Sequence, residues 1–134
     1  MLYIVWSKEN ELEIPIIDEQ HRGIVSTINS FYYFIQQGHG SEALSPTLNI
    51  LAQYTNLHFK AEEALMERAK YPALDDHLVL HKELAKKMTI LARDLISKED
   101  ANSLLGLLKS WWLGHINQED RKYASPVKKE LGIR

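Results

Sequence analysis

The chain has 134 residues and a formal net charge of -2, with 16 basic and 18 acidic residues spread along it. It contains no cysteine, which excludes disulfides and thiolate chemistry, so any metal must be bound by imidazole and carboxylate. The basic residues form no stripe, no segment is long enough to span a membrane, and no signal peptide is evident. We therefore expect a single cytoplasmic domain over residues 1–134, with neither nucleic acid nor membrane as partner and no indication of an oligomeric state.

Four amphipathic helices are predicted from apolar residues that recur at spacings of three and four. They cover residues 18–37, 41–70, 73–96 and 100–121. Asp18 is the expected N-cap of the first helix, and Gly38 and Gly40 end it. Residues 1–17 do not fit this pattern and are expected to form an extended arm across the helices.

The limits of the later helices depend on capping residues and prolines. Ser45 and Pro46 are a candidate cap and first-turn pair for the second helix, with Ser41 as an earlier alternative. Ser97 with Asp100 resembles a capping box before the fourth helix, and Pro126 is expected to bound that helix. The short connections favour an all-α, up-down-up-down four-helix bundle, in which side chains from facing helices meet in the core.

Five of the six histidines lie on the inward stripes of these helices: His21, His58, His77, His81 and His115. His77 and His81 are four positions apart, as are His58 and Glu62, so each pair directs two side chains to one place. Five neutral imidazoles buried without a metal would leave ring nitrogens unpaired, at about 1–3 kcal/mol each, whereas a metal takes up those lone pairs. The pattern therefore predicts a metal centre.

The remaining polar residues near this pattern are interpreted differently. His39 lies between two glycines and is interpreted as a solvated loop residue. Glu63 and Glu67 are interpreted as exposed helix acids.

The number of predicted ligands points to two metal ions. Five imidazoles with one or two carboxylates exceed the four positions of tetrahedral zinc but suit two octahedral ions that share bridging carboxylates. Two iron ions are the natural assignment. Because this set has fewer carboxylates than ferritin-like centres, it favours oxygen binding over oxygen activation.

Four sequence motifs contain these residues: I-D-E-Q-H ending at His21, H-F-K-A-E from His58 to Glu62, H-L-V-L-H from His77 to His81, and H-I-N-Q-E-D from His115 to Asp120. In this order they resemble the hemerythrin family, in particular its single-domain bacterial members, over nearly the whole chain. The resemblance implies two iron ions joined by an oxo or hydroxo bridge, with dioxygen bound at the open position of the iron that has two histidines. It implies that His77, His81 and His115 bind one iron and that His21 and His58 bind the other. It also implies that Glu62 and Asp120 bridge the two irons.

At the end of the fourth predicted helix, two acids and two adjacent tryptophans lie close to His115 in the sequence. Helical spacing favours Glu119, four residues after His115, over Asp120, which is five residues on and about 140° around a regular helix. The resemblance favours Asp120, and a widened turn would bring that side chain inward. Trp112 stands where relatives commonly carry an aliphatic residue of the oxygen pocket, so Trp111 and Trp112 are predicted to line it. Ordinary core packing is the alternative for Trp112.

The leading functional hypothesis is reversible dioxygen binding, for oxygen storage, transport or buffering, rather than an enzymatic reaction. One alternative is a di-iron enzyme that reduces nitric oxide or peroxide. Another is an oxygen-sensing module that acts through a partner. Return of the gas on degassing distinguishes a carrier from an enzyme.

Overall fold

The computed structural model describes residues 2–132, and the side chains of all of these except residues 113 and 115–117. Within this range there are five α-helices and no strand: α1 (Pro15–Gln36), α2 (Gly40–Arg68), α3 (Leu74–Ser97), α4 (Ala101–Trp111) and α5 (Arg121–Leu131). A π-helix, Trp112–Glu119, joins α4 to α5. Over the described residues, no helix has the length and hydropathy needed to cross a membrane.

The helices pack as the expected up-down-up-down four-helix bundle. Helix α1 contacts α2 and α4, and α3 contacts the same two helices, so the four segments close into one bundle. The fourth position of the bundle is filled by α4, the π-helix and α5 in succession. The predicted all-α fold class is therefore confirmed.

An N-terminal arm precedes α1 and lies against it. The side-chain amide oxygen of Asn29 accepts hydrogen bonds from the backbone N–H groups of Tyr3, at 3.0 Å, and Ile4, at 2.8 Å. The Asn29 amide nitrogen donates to the carbonyl oxygen of Ile4 at 2.8 Å. One side chain of α1 thus satisfies the extended backbone of the arm.

Helix α1 begins earlier than the sequence indicated, at Pro15, where the missing N–H costs nothing because the first turn has no partner for it. Asp18 is therefore not the N-cap. Its carboxylate instead accepts from the backbone N–H groups of Leu12, at 2.7 Å, and Glu13, at 3.0 Å. The residue fixes the end of the arm rather than the start of the helix.

Helix α2 begins at Gly40, one residue before the predicted start at Ser41, so Ser45 and Pro46 are not its cap and first-turn pair. Pro46 is exposed within the helix, whereas Leu44, in the preceding turn, is 2% exposed and packs in the core. Burial of a leucine side chain contributes about 1.5–3 kcal/mol, comparable with the cost of about 3 kcal/mol for a proline inside a helix. Core packing thus extends the helix ahead of the proline.

The boundaries predicted around the fourth helix also change. Asp100 alone caps α4 by accepting a backbone N–H bond from its first turn, while Ser97 is the last residue of α3. Pro126 does not end the helical region but lies inside α5. Tyr123 and Val127 are fully buried on the other side of α5, and their burial favours continuation of the helix past the proline.

Among the described side chains, the buried apolar residues form two clusters. Along α1, Ile24 belongs to one cluster and Ile17 to the other, and His21 lies between them. Along α2, Leu51 belongs to the cluster of Ile24 and Met66 to that of Ile17, with His58 and Glu62 between them in the sequence. A layer of buried polar side chains therefore separates the two halves of the core.

Candidate metal centre

Six polar side chains from four parts of the bundle meet in this layer, and none is more than 8% exposed: His21 from α1, His58 and Glu62 from α2, His77 and His81 from α3, and Asp120 after the π-helix. Burying polar and charged groups is costly unless each finds a partner. Their concentration in one place is a feature that requires a chemical explanation.

The pairs spaced by four residues face the same point, as their helical spacing predicts. In α2, Nε2 of His58 lies 3.1 Å from Oε1 of Glu62. In α3, the ring centroids of His77 and His81 are 4.4 Å apart. Each regular helix therefore delivers two side chains to the cluster.

The π-helix decides which acid of the fourth helical segment enters the cluster. Hydrogen bonds in a π-helix join residues five apart, so the segment Trp112–Glu119 widens the turn that precedes Asp120. Asp120 is fully buried, with Oδ2 lying 3.2 Å from Nε2 of His21. Glu119 instead accepts an exposed hydrogen bond from Nζ of Lys122 at 2.8 Å. The structure thus brings Asp120, and not the residue favoured by regular spacing, to the other candidates.

The potential donor atoms form two groups of four that share both carboxylates: His21, His58, Glu62 and Asp120 in one, and Glu62, His77, His81 and Asp120 in the other. Within each group these atoms all lie within 4.8 Å of one another. The sharing of two carboxylates by two sets of imidazoles is the arrangement that a pair of bridged metal ions requires.

The separations between donor atoms fit metal coordination. Two ligands at right angles on one ion, each about 2.1 Å from it, lie about 3 Å apart. Nε2 of His21 lies 3.2 Å from Nε2 of His58, which in turn lies 3.3 Å from Oδ2 of Asp120. Nε2 of His77 lies 3.4 Å from the other oxygen, Oδ1, of Asp120. The residues present therefore fit two cations that share carboxylate ligands.

The electrostatics of the metal-free cluster show what a cation would replace. Burial lowers the pKa of His58, but Glu62 and Asp120 outweigh burial and raise it to about 9. Although burial opposes it, His58 holds the pKa of Glu62 well below its usual range. Burial and the neighbouring Glu62 raise the pKa of Asp120 well above its usual range. Without a metal the cluster retains protons, and metal binding would release them.

Hydrogen bonds at the Nδ1 atoms, which face away from the cluster, orient two of the histidines. Nδ1 of His58 lies 2.8 Å from the amide oxygen of Gln20, and Nδ1 of His81 lies 2.8 Å from a carboxylate oxygen of Glu63. Both oxygens only accept, so each Nδ1 carries the proton, and Nε2 is the atom that faces the cluster. The interpretation of Glu63 as an exposed acid is therefore wrong, whereas Glu67 is exposed as predicted.

Sequence reasoning missed the roles of Gln20 and Glu63. The available signal was sequence position, because Gln20 directly precedes His21 and Glu63 directly follows Glu62. Their partners lie on a neighbouring helix, so the pairing itself depends on how the helices pack.

Three aromatic rings close the cluster, with centroid distances of 3.7 Å for Phe59 and His81, 5.3 Å for Trp112 and His21, and 5.7 Å for Tyr123 and His77. The Phe59 ring is stacked at 6°, whereas the other two pairs are nearly perpendicular. Burial, followed by the charges of Glu62 and Asp120, raises the pKa of Tyr123 well above its usual range, so its hydroxyl stays protonated. These rings exclude water from the donor atoms.

Three further residues, Trp111, His115 and His39, are not among the six side chains of the cluster. Trp111 lines a cavity of about 340 Å³ between α2 and α3, and its place in an oxygen pocket stays a prediction. The side chain of His115 lies outside the described residues, so its role also stays a prediction. His39 is exposed at the start of α2, with Nδ1 lying 3.3 Å from Oε1 of Glu42, as expected for a solvated residue.

Comparisons with known proteins point in one direction. The sequence profile described as "Hemerythrin HHE cation binding domain" matches residues 12–125. The chain is 31% identical to bacteriohemerythrin of Stenotrophomonas maltophilia, over 98% of this chain and 86% of that protein. It is 28% identical to myohemerythrin-1 of Phascolopsis gouldii, over 89% of this chain and 90% of that protein. The fold is similar to a crystal structure of a single-site hemerythrin mutant, with a TM-score of 0.75 and 25% identity over 95% of this chain and 98% of that chain.

Proposed function

Because the chain belongs to the hemerythrin family, we propose that it binds dioxygen reversibly at a pair of non-haem iron ions and so stores, transports or buffers oxygen. The observation that carries this proposal is the sharing of Glu62 and Asp120 by two groups of imidazoles. A cytoplasmic location is part of the same proposal.

The proposed ligand set assigns seven residues to the two irons: His77, His81 and His115 to one, His21 and His58 to the other, and Glu62 and Asp120 to both. The separations of about 3 Å between imidazole nitrogens and carboxylate oxygens support it. An oxo or hydroxo group is proposed as a third bridge. With one histidine fewer, the iron held by His21 and His58 would keep an open coordination position for dioxygen.

When bound, the iron pair supplies the electrons that allow dioxygen to bind and to leave again. The protein's own contribution is to hold the donor atoms and to limit competing reactions. Gln20 and Glu63 fix the orientation of two imidazoles, and buried Phe59 and Trp112 keep water from the donors. Slow access of water and anions favours release of intact oxygen over oxidation of the centre.

A gas cycle followed by visible absorption tests the proposal. Protein loaded with ferrous iron under anaerobic conditions is measured before oxygen, after oxygen and after degassing. We expect a new absorption band with oxygen and recovery of the starting spectrum on degassing. The amount of oxygen released on degassing, measured by mass spectrometry, should equal the amount of oxygen that was bound.

The same cycle with nitric oxide and with hydrogen peroxide distinguishes the enzymatic alternative. Continuous consumption of either compound with a supplied reductant, combined with failure to return oxygen, would contradict the carrier proposal. His39→Ala serves as a control for the preparation, because this exposed histidine lies outside the cluster.

A further inference from the structure

Trp112 occupies a special place beside the candidate metal centre. It is the first residue of the π-helix and is fully buried. Its ring stands nearly perpendicular to that of His21, at 86°, with centroids 5.3 Å apart. On its other side lies Trp6 of the N-terminal arm, with centroids 6.0 Å apart. The indole thus lies between the arm and His21, one of the two histidines proposed for the oxygen-binding iron.

The indole N–H of Trp112 has no hydrogen-bond partner among the residues that the structure describes. An indole nitrogen only donates, and a buried donor without an acceptor costs free energy. A large apolar side chain would fill the same space without this cost. Orphaned donors of this kind occur where an external group supplies the acceptor.

The side chains of the neighbouring donor group cannot supply a hydrogen bond to a ligand bound there. The carboxylates of Glu62 and Asp120 accept only, and an imidazole nitrogen that binds a metal has no proton to donate. Apart from a bridging hydroxo group, a hydrogen bond to the ligand must therefore come from a side chain in the wall of the site. Trp112 is the wall residue in contact with His21 that carries a buried, unused donor.

We infer that the Trp112 indole N–H donates a hydrogen bond to the small ligand held at the iron on the side of His21 and His58, and that it favours ligands that carry negative charge when bound. This inference rests on the proposed function. A hydrogen bond to a charged acceptor is shorter and stronger than one to a neutral acceptor. Inorganic anions such as azide, and dioxygen that has taken up electron density, belong to this class.

Azide binding to the iron-loaded, oxidised protein tests the donor. Trp112→Phe retains an aromatic ring but removes the N–H group. We expect about a tenfold or greater weakening of azide binding in a visible titration, with iron content unchanged, as for loss of one hydrogen bond to a charged acceptor. Equal azide affinity in wild type and Trp112→Phe would overturn the inference.

Trp6→Phe is the matched control. The Trp6 indole N–H is also buried and without a hydrogen-bond partner among the described residues, but its ring contacts Trp112 rather than a histidine. Azide affinity in this variant should stay within about twofold of wild type. A loss in Trp6→Phe equal to that in Trp112→Phe would assign the effect to packing of the arm and contradict a specific donor.

A second readout uses the native protein and does not depend on how a variant folds. The chain has three tryptophans, and ultraviolet resonance Raman spectra report hydrogen bonding of an indole N–H. Azide should shift one of the three indole signals toward the hydrogen-bonded position, and no shift would contradict the inference. If iron loads and oxygen binds reversibly while azide causes no shift, the proposed function stands and the donor role alone fails. Loss of iron loading would instead count against the proposed function.

Discussion

Nε2 of His21 lies 3.2 Å from Oδ2 of Asp120, although 99 positions separate the two residues in the chain. The contact joins the first helix of the bundle to the residue that follows the π-helix of the last segment. It places a carboxylate oxygen and an imidazole nitrogen at the spacing of neighbouring ligands on one ion.

The chain should bind two irons. The seven proposed ligands exceed the six positions of one octahedral ion, and they cannot saturate two such ions without sharing. The six of them with described side chains form two groups that share Glu62 and Asp120. Elemental analysis after anaerobic loading with ferrous iron should give about two irons per chain. A ratio near one, or preferential zinc binding under matched loading, would contradict the di-iron assignment.

His81→Ala should reduce iron loading sharply, because His81 is 3% exposed and its Nε2 lies 3.5 Å from Oε1 of Glu62. We expect the bound iron to fall from about two ions to one or fewer, since a bridged pair loses a terminal ligand. His39→Ala, at an exposed position, is the control and should load normally. Equal losses in the two variants would show that the wrong histidines had been assigned.

Asp120→Ala should impair assembly of the iron pair more than Glu119→Ala does. Asp120 is shared by both donor groups, whereas Glu119 makes an exposed hydrogen bond to Lys122. Iron content and the visible spectrum of the oxidised protein measure the effect. The opposite order would mean that the π-helix does not persist in solution and that a regular turn presents Glu119.

Glu63→Ala should weaken metal binding without abolishing it. Glu63 accepts the Nδ1–H bond of His81 at 2.8 Å, and loss of such a supporting bond costs about 10–100-fold in metal affinity. Competition with a chelator under anaerobic conditions measures the change. Glu67→Ala, one turn further along α2 and exposed, is the matched control, and an equal effect there would rule out a specific role for Glu63.

Trp112→Leu should retain iron but change the kinetics of the oxygen pocket. Leucine is smaller than the buried indole, so it leaves space beside His21 for oxygen and also for water and anions. We expect faster oxygen binding and faster decay to the oxidised form. Stopped-flow mixing followed by slow spectral decay measures both rates.

Tyr33→Leu, at an exposed aromatic position, is the control for the kinetic measurements and should behave as wild type. Unchanged rates in Trp112→Leu would assign Trp112 to core packing alone.

The sequence determined the fold class and the residues that could meet. The spacing of apolar positions fixes an amphipathic stripe on each helix, and residues four apart, such as His58 and Glu62, share a face in any regular helix. These relationships are local and depend only on helical geometry. For that reason the bundle and the buried positions of His21, His58, His77 and His81 were predictable.

Only the tertiary structure decided the helix limits and supplied the physical reason for Asp120, which the family resemblance had favoured although helical spacing favours Glu119. Burial of Leu44 and Val127 continues helices through prolines that local propensity treats as ends. The π-helix places Asp120 in the cluster because a widened turn becomes favourable only when the buried carboxylate finds partners on other helices. Contacts between distant parts of the chain set these free energies, and a local sequence pattern does not contain them.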